Sequence, residues 1–132
     1  MAPIILAQDL VKTYRSGKLA VTALRKVSFA IEPGEFVSIV GPSGTGKSTL
    51  FYILGGLTHA TSGSVCIDGT DFATLNDGER TKMRRAKIGF VFQLFNLLPT
   101  LSAMGNIEIA HNIANLGVAT KKELDKPLLD QL

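Results

Sequence analysis

An α/β fold is predicted by three features of this 132-residue sequence. Residues 36–40, Phe-Val-Ser-Ile-Val, make a short and nearly continuous apolar run, as expected of a strand buried on both faces of a parallel sheet. A glycine-rich loop at residues 41–46 follows directly, and a helix-compatible stretch follows the loop. On the N-terminal side lie β-rich stretches broken by turn residues, the pattern of an antiparallel region.

Bulk composition narrows the class. With 45% hydrophobic and 19% charged residues, the chain has the balance of a globular protein and not of a disordered one. Its length fits one domain. No stretch approaches the ~18 apolar residues of a membrane span. The first ten residues have no basic region, and Gln8 and Asp9 interrupt their apolar run, so no signal peptide is expected. Cys66 is the single cysteine, which excludes an internal disulfide and a multi-cysteine metal site and fits a reducing cytosol. A net charge of +3 identifies no partner. The densest basic cluster, Lys82, Arg84, Arg85 and Lys87, reads as a solvated helix face. No aromatic residues interleave with it as a single-strand groove requires, so nucleic acid is not an expected partner.

The elements follow in order. Residues 4–10 and 23–31 are β-rich, the second alternating through Leu24, Val27, Phe29 and Ile31, with Tyr14-Arg15-Ser16-Gly17-Lys18 as a polar turn between them. Pro33-Gly34 turns the chain into the apolar run, and a helix is expected from about Lys47 to Gly55. Residues 63–68 alternate through Val65 and Ile67, with Cys66 packing as a small hydrophobe, and Asp68-Gly69 supplies a hairpin turn. Residues 77–86 form a polar helix with Asp77 as N-cap, and residues 88–92 a second apolar strand ended by Gln93. Two more helices are expected, from about Ala103 and from Lys121. The last carries a Thr120/Glu123 capping box and places Leu124, Leu128, Leu129 and Leu132 on one side, with Pro127 kinking it.

Gly41-Pro42-Ser43-Gly44-Thr45-Gly46-Lys47-Ser48 satisfies the G-x-x-x-x-G-K-[ST] pattern at every fixed position. Glycines let the backbone wrap closely around phosphate and turn its amides inward. The helix that follows offers unpaired amides and its positive dipole end. Lys47 can reach the β- and γ-phosphates, and the Ser48 hydroxyl can ligate Mg²⁺. A chance glycine turn would not be expected between a buried strand and a helix. The order G-x-x-G-x-G-K also differs from the dinucleotide fingerprint G-x-G-x-x-G. This is the pattern of a nucleotide phosphate site.

On these residues the chain resembles the N-terminal part of an ABC transporter ATP-binding subunit. The likeness runs through Tyr14, Pro33-Gly34-Glu35, Gly41 to Thr49, Ser62-Gly63, Asp68-Gly69 and Ile88-Gly89-Phe90-Val91-Phe92-Gln93. Phe95-Asn96-Leu97-Leu98-Pro99-Thr100-Leu101 is similar to the branch serving lipoprotein release and macrolide export. The resemblance implies a P-loop NTPase fold of ABC ATPase type, truncated. It would comprise core parallel strands, an N-terminal antiparallel β region and the start of a helical region, with residues 1–132 as the N-terminal part of one ATP-binding domain. It implies ATP and Mg²⁺ as cofactors, with Tyr14 stacking on adenine and Gly41, Pro42, Ser43, Gly44, Thr45, Gly46, Lys47, Ser48 and Thr49 around phosphate. Gln93 would contact Mg²⁺ and the attacking water and relay nucleotide state. A membrane permease subunit and a second ATP-binding subunit are the implied partners. The implied location is cytoplasmic, peripheral at the inner face of the membrane.

The family's hydrolytic half has no counterpart here. The metal aspartate, the glutamate after it, the Leu-Ser-Gly-Gly-Gln signature and a later histidine are all missing from the sequence. Val65-Cys66-Ile67-Asp68 imitates the aspartate strand, but Gly69 follows it and the segment reads as a hairpin. His59 and His111 read as ordinary loop and helix residues. No catalytic residue is therefore assigned, and the chain reads as the first half of a domain, expected to be marginally stable alone with an open sheet edge. The expected function is ATP binding coupled to export through a permease. The alternatives are a non-catalytic nucleotide-binding fragment, or a P-loop small-molecule kinase, which would leave Tyr14 and Phe92-Gln93 unexplained. One departure is local: Gly105 stands three residues after Ser102, where that branch tends to carry glutamate, and so forgoes a capping box.

Overall fold

The computed structural model describes residues 2–94 and 96–114. The chain divides into two compact units, Met1–Arg84 and Arg85–Leu132. The helix expected from Lys121, with its Thr120/Glu123 box, lies outside the described residues, as does Phe95.

In the first unit, β1 (Ile5–Ser16) and β2 (Leu19–Ile31) form one long antiparallel hairpin. The turn between them is tighter than the sequence suggests. Tyr14, Arg15 and Ser16 stay in β1, paired with Val21, Ala20 and Leu19, and Gly17 and Lys18 alone turn the chain. Backbone pairing overrides the polar composition there, because an exposed strand tip tolerates polar side chains. β3 (Ser62–Ile67) pairs with the other edge of β1, and the two-residue β4 (Thr70–Asp71) extends the sheet to the order β2-β1-β3-β4. The β3–β4 turn is the expected Asp68-Gly69, with φ of 48° and 76°. Both positive values are what a two-residue hairpin turn matching the strand twist requires.

α1 (Lys47–Leu54) ends at Gly55 as predicted. Its Leu50, Ile53 and Leu54 join Ala7, Leu10, Leu24, Val65, Ile67 and Phe72 as the buried apolar set. Each large side chain so buried contributes roughly 1.5–3 kcal/mol. Cys66 sits between Val65 and Ile67 on the opposite side of β3 and is only half-buried.

α2 (Asp77–Lys87) is present, but Asn76 caps it and Asp77 does not. Glu79 N donates to Asn76 Oδ1 at 3.0 Å, and Asn76 N donates to Glu79 Oε2 at 2.9 Å. This reciprocal box needs a carboxylate three residues after the cap, which Asn76 has in Glu79 and Asp77 lacks. Within the basic cluster, Lys82 and Arg85 are exposed as expected. Arg84 is not simply solvated, since its Nη1 donates to the Gly56 carbonyl at 2.9 Å.

Every ladder among the described residues is antiparallel. The two apolar runs expected as strands, residues 36–40 (buried in a parallel sheet) and 88–92, have no ladder partner, and Phe36 is 99% and Val91 100% exposed. A strand exists only where a neighbour supplies its hydrogen bonds. Among the described residues of either unit, nothing pairs with these runs. Their apolar pattern reports what they are suited to bury against and does not supply the partner.

In the second unit the Phe90 and Phe92 rings, two residues apart, stack with centroids at 5.4 Å and an interplanar angle of 12°. α3 (Ala103–Ala114) begins where expected, and Gly105 N donates to Ser102 Oγ at 3.1 Å. Asn106 ties the preceding loop to the helix: it accepts from Leu98 N at 2.7 Å and donates to the Leu98 and Ser102 carbonyls at 3.2 and 3.0 Å.

Candidate functional site

The predicted phosphate loop lies in the first unit and leads into α1. Its last glycine is fixed by a close approach that only glycine allows. Gly46 has φ of 90°, and a Cβ there would collide with the Ala23 carbonyl oxygen of β2 and come within 3.0 Å of Leu24 Cδ2. The hairpin strand therefore sets where α1 starts. Gly46 is the N-cap residue of α1, and no side chain caps the helix. Its first turn also contains no acidic residue. The first amides of a helix have no partner within it, so they remain available to an anion at the positive end of the dipole.

Lys47 folds back over the loop, its Nζ donating to the Gly41 carbonyl at 2.7 Å and the Pro42 carbonyl at 2.6 Å. Thr45 Oγ1 also donates to the Pro42 carbonyl, at 2.8 Å. These bonds hold residues 41–47 as a closed arc and keep the ammonium at the loop. Pro42, Ser43, Gly44 and Ser48 are exposed at the surface.

Tyr14 is brought to the same place. Its phenol oxygen lies 3.4 Å from Thr49 Oγ1 in the first turn of α1. Tyr14 thus lies beside the first turn of α1 although it precedes Thr49 by 35 positions in the chain. Gln93 belongs to the second unit, in an exposed bend after Phe92.

Sequence reasoning missed two residues, one beside this site and one away from it. Lys12 lies against Tyr14, its Nζ 5.0 Å from the ring centre. The available signal was the spacing of two along a strand, which puts both side chains on one face. Arg80, read as part of a polar helix, is 5% exposed. It donates to the Phe72 and Leu75 carbonyls at 2.9 and 3.1 Å and meets His59 Nδ1 at 2.7 Å. His59 Nε2 in turn lies 3.5 Å from Asp77 Oδ1, so His59 is a bracket between its loop and α2. No sequence period marks a buried arginine. A cavity of about 270 Å³ beside Arg80, lined also by Ile53, Thr61, Val65 and Phe72, contains none of the predicted site residues.

A glycine arc, a lysine closing it and a bare helix start behind it define a P-loop nucleoside-triphosphatase fold. The chain belongs to the ABC transporter family, whose model matches residues 24–130. It is 44% identical over 131 residues to the macrolide export ATP-binding/permease protein MacB of Brucella abortus, covering 99% of this chain and 20% of that protein. It is 46% identical over 105 residues to the lipoprotein-releasing system ATP-binding protein LolD of Alcanivorax borkumensis, covering 80% of this chain and 46% of that one. Among solved structures it resembles the dimeric post-hydrolysis state of the ATP-binding cassette MJ0796 bound to ADP and Pi. That likeness has a TM-score of 0.84 at 44% identity, over 96% of this chain and 54% of the other. The chain thus spans about half the length of an ATP-binding cassette and a fifth of MacB. The fold class read from the sequence stands, as does the likeness to the export and lipoprotein-release branch. No helix among the described residues is long and apolar enough to cross a membrane.

Proposed function

We propose that this chain is the phosphate-loop part of an ABC ATP-binding subunit of the MacB and LolD type. It binds ATP with Mg²⁺ and couples nucleotide to export together with a second ATP-binding subunit and a membrane permease. Its place is cytoplasmic, at the inner face of the membrane. The observation that carries the reading is the start of α1, which has neither a capping side chain nor an acidic residue and lies directly behind a glycine arc.

The residues present fit both ligands. The Gly46 position admits no side chain, because β2 fills the space a Cβ would take, and this seats the start of α1 directly behind the glycine arc. Lys47 carries a compact charge with donors able to exchange loop carbonyls for phosphate oxygens. The exposed Ser48 hydroxyl is a hard oxygen ligand of the type Mg²⁺ takes beside phosphate and water. Bound there, Mg²⁺ neutralises phosphate charge. Tyr14 supplies an aromatic face for adenine, tethered through Thr49 to the same helix. Gln93 takes the family's role near metal and water by resemblance. MJ0796 bound to ADP and Pi as a dimer supports the second-subunit part of the reading.

Displacement of a fluorescent ATP analogue by Mg-ATP tests the reading. Loss of a charge-assisted contact in Lys47→Ala should weaken binding by about 10- to 100-fold. Equal displacement from Lys47→Ala and the parent chain would overturn it.

A further inference from the structure

We infer that Lys12 is a positioning residue for the Tyr14 ring, fixing its plane and reserving one of its faces for the base. The inference rests on the nucleotide reading above. Lys12 and Tyr14 are two residues apart on β1 and share a strand face. The Lys12 ammonium lies 5.0 Å from the ring centre. That is inside the ~6 Å within which the negative face of an aromatic ring attracts a cation. The ammonium is itself held from outside the strand. It donates to the His59 carbonyl at 2.7 Å and to Thr58 Oγ1 at 3.2 Å, both in the segment after α1.

Tyr14 is therefore restrained twice, at one face by Lys12 and at its hydroxyl tip by Thr49. A base cannot stack on the face that Lys12 covers, because stacked carbon rings need about 3.5–4 Å of free depth. Stacking is confined to the other face, and Tyr14 is 45% exposed. The cation also draws ring π density toward itself, which leaves that other face better matched to an electron-rich purine. Lys12 thus favours the base and acts through Tyr14, with no part in holding phosphate.

Calorimetric titration of the full chain with Mg-ATP and with Mg-tripolyphosphate, which has no base, separates these effects. The parent chain is expected to prefer ATP. Lys12→Met should narrow that preference about two- to five-fold, the size of an exposed cation–ring contact, and leave tripolyphosphate affinity unchanged. Lys12→Arg should restore the preference, and in a Tyr14→Ala background Lys12→Met should change nothing further. Equal weakening of both ligands would overturn the inference, since it marks a structural or direct phosphate role. Retention of the full preference by Lys12→Met would overturn Lys12's role alone. Absence of any preference in the parent chain would remove the Tyr14 reading and this inference with it. If Lys12→Met does not fold, Thr58→Val, which removes one anchor of the ammonium, should narrow the preference in the same direction, and no narrowing would count against the inference.

Discussion

The two helices that begin in the first unit start in opposite ways. α2 opens on a reciprocal Asn76–Glu79 box with Asp77 and Glu79 in its first turn, so the Glu79 amide has a side-chain cap and the positive dipole end faces acidic side chains. α1 opens on Gly46, with no side-chain cap and no acid. A side-chain cap typically contributes ~1 kcal/mol, so α1 forgoes a stabilisation that α2 takes. The same physical need is met from within in one helix and, on the proposed reading, left to an incoming anion in the other. The contrast separates a helix capped by its own side chains from one left uncapped, as the proposed phosphate site requires.

Substitutions can break that contrast in graded ways. Gly46→Ala should have the largest effect, because the added methyl collides with the Ala23 carbonyl at a φ of 90°. A loss of about 2–4 kcal/mol in denaturant unfolding is expected, together with loss of ATP binding. Arg80→Ala strips donors from the Phe72 and Leu75 carbonyls and empties a buried volume. It should cost about 2–3 kcal/mol in the same measurement. Asn76→Ala removes only the cap of α2 and should cost about 1 kcal/mol while leaving ATP affinity unchanged. An affinity loss in Asn76→Ala would mean that the two helix starts are not functionally separate.

The smallest effect is expected at the third helix start. Ser102 already caps α3, and a Cβ at Gly105 would sit 3.3 Å from Leu101 Cβ, close enough to need a slight adjustment. Gly105→Glu should complete the box and reduce backbone entropy in the unfolded chain, for a gain of up to about 1 kcal/mol seen as a higher melting temperature. An unchanged melting temperature would mean that the Leu101 contact offsets the new bond.

What the sequence made legible was whatever local chemistry decides. The Asp68-Gly69 turn, the extent of α1 and the start of α3 all follow from residue types at fixed spacings, and the structure has them. The loop motif was legible for the same reason. The apolar runs at residues 36–40 and 88–92 were not, because a strand needs a partner that a pattern cannot name. Asn76 was overlooked for Asp77, although the Asn76/Glu79 spacing was available to be read. The spacing of Lys12 and Tyr14 was there to be read, but the anchors of the Lys12 ammonium at Thr58 and His59 and the His59 contact of Arg80 lie 46, 47 and 21 residues away in the chain, which no local rule reaches.

The central claim is that the bare start of α1 and its glycine arc bind nucleotide phosphate. Thermal melts of the chain with and without Mg-ATP, alongside Lys47→Ala, test it most directly. Ligand at about 100 times its dissociation constant should add ~2.7 kcal/mol to the parent chain and give a clear upward shift that Lys47→Ala lacks. The same melting temperature with and without Mg-ATP in the parent chain would contradict the account.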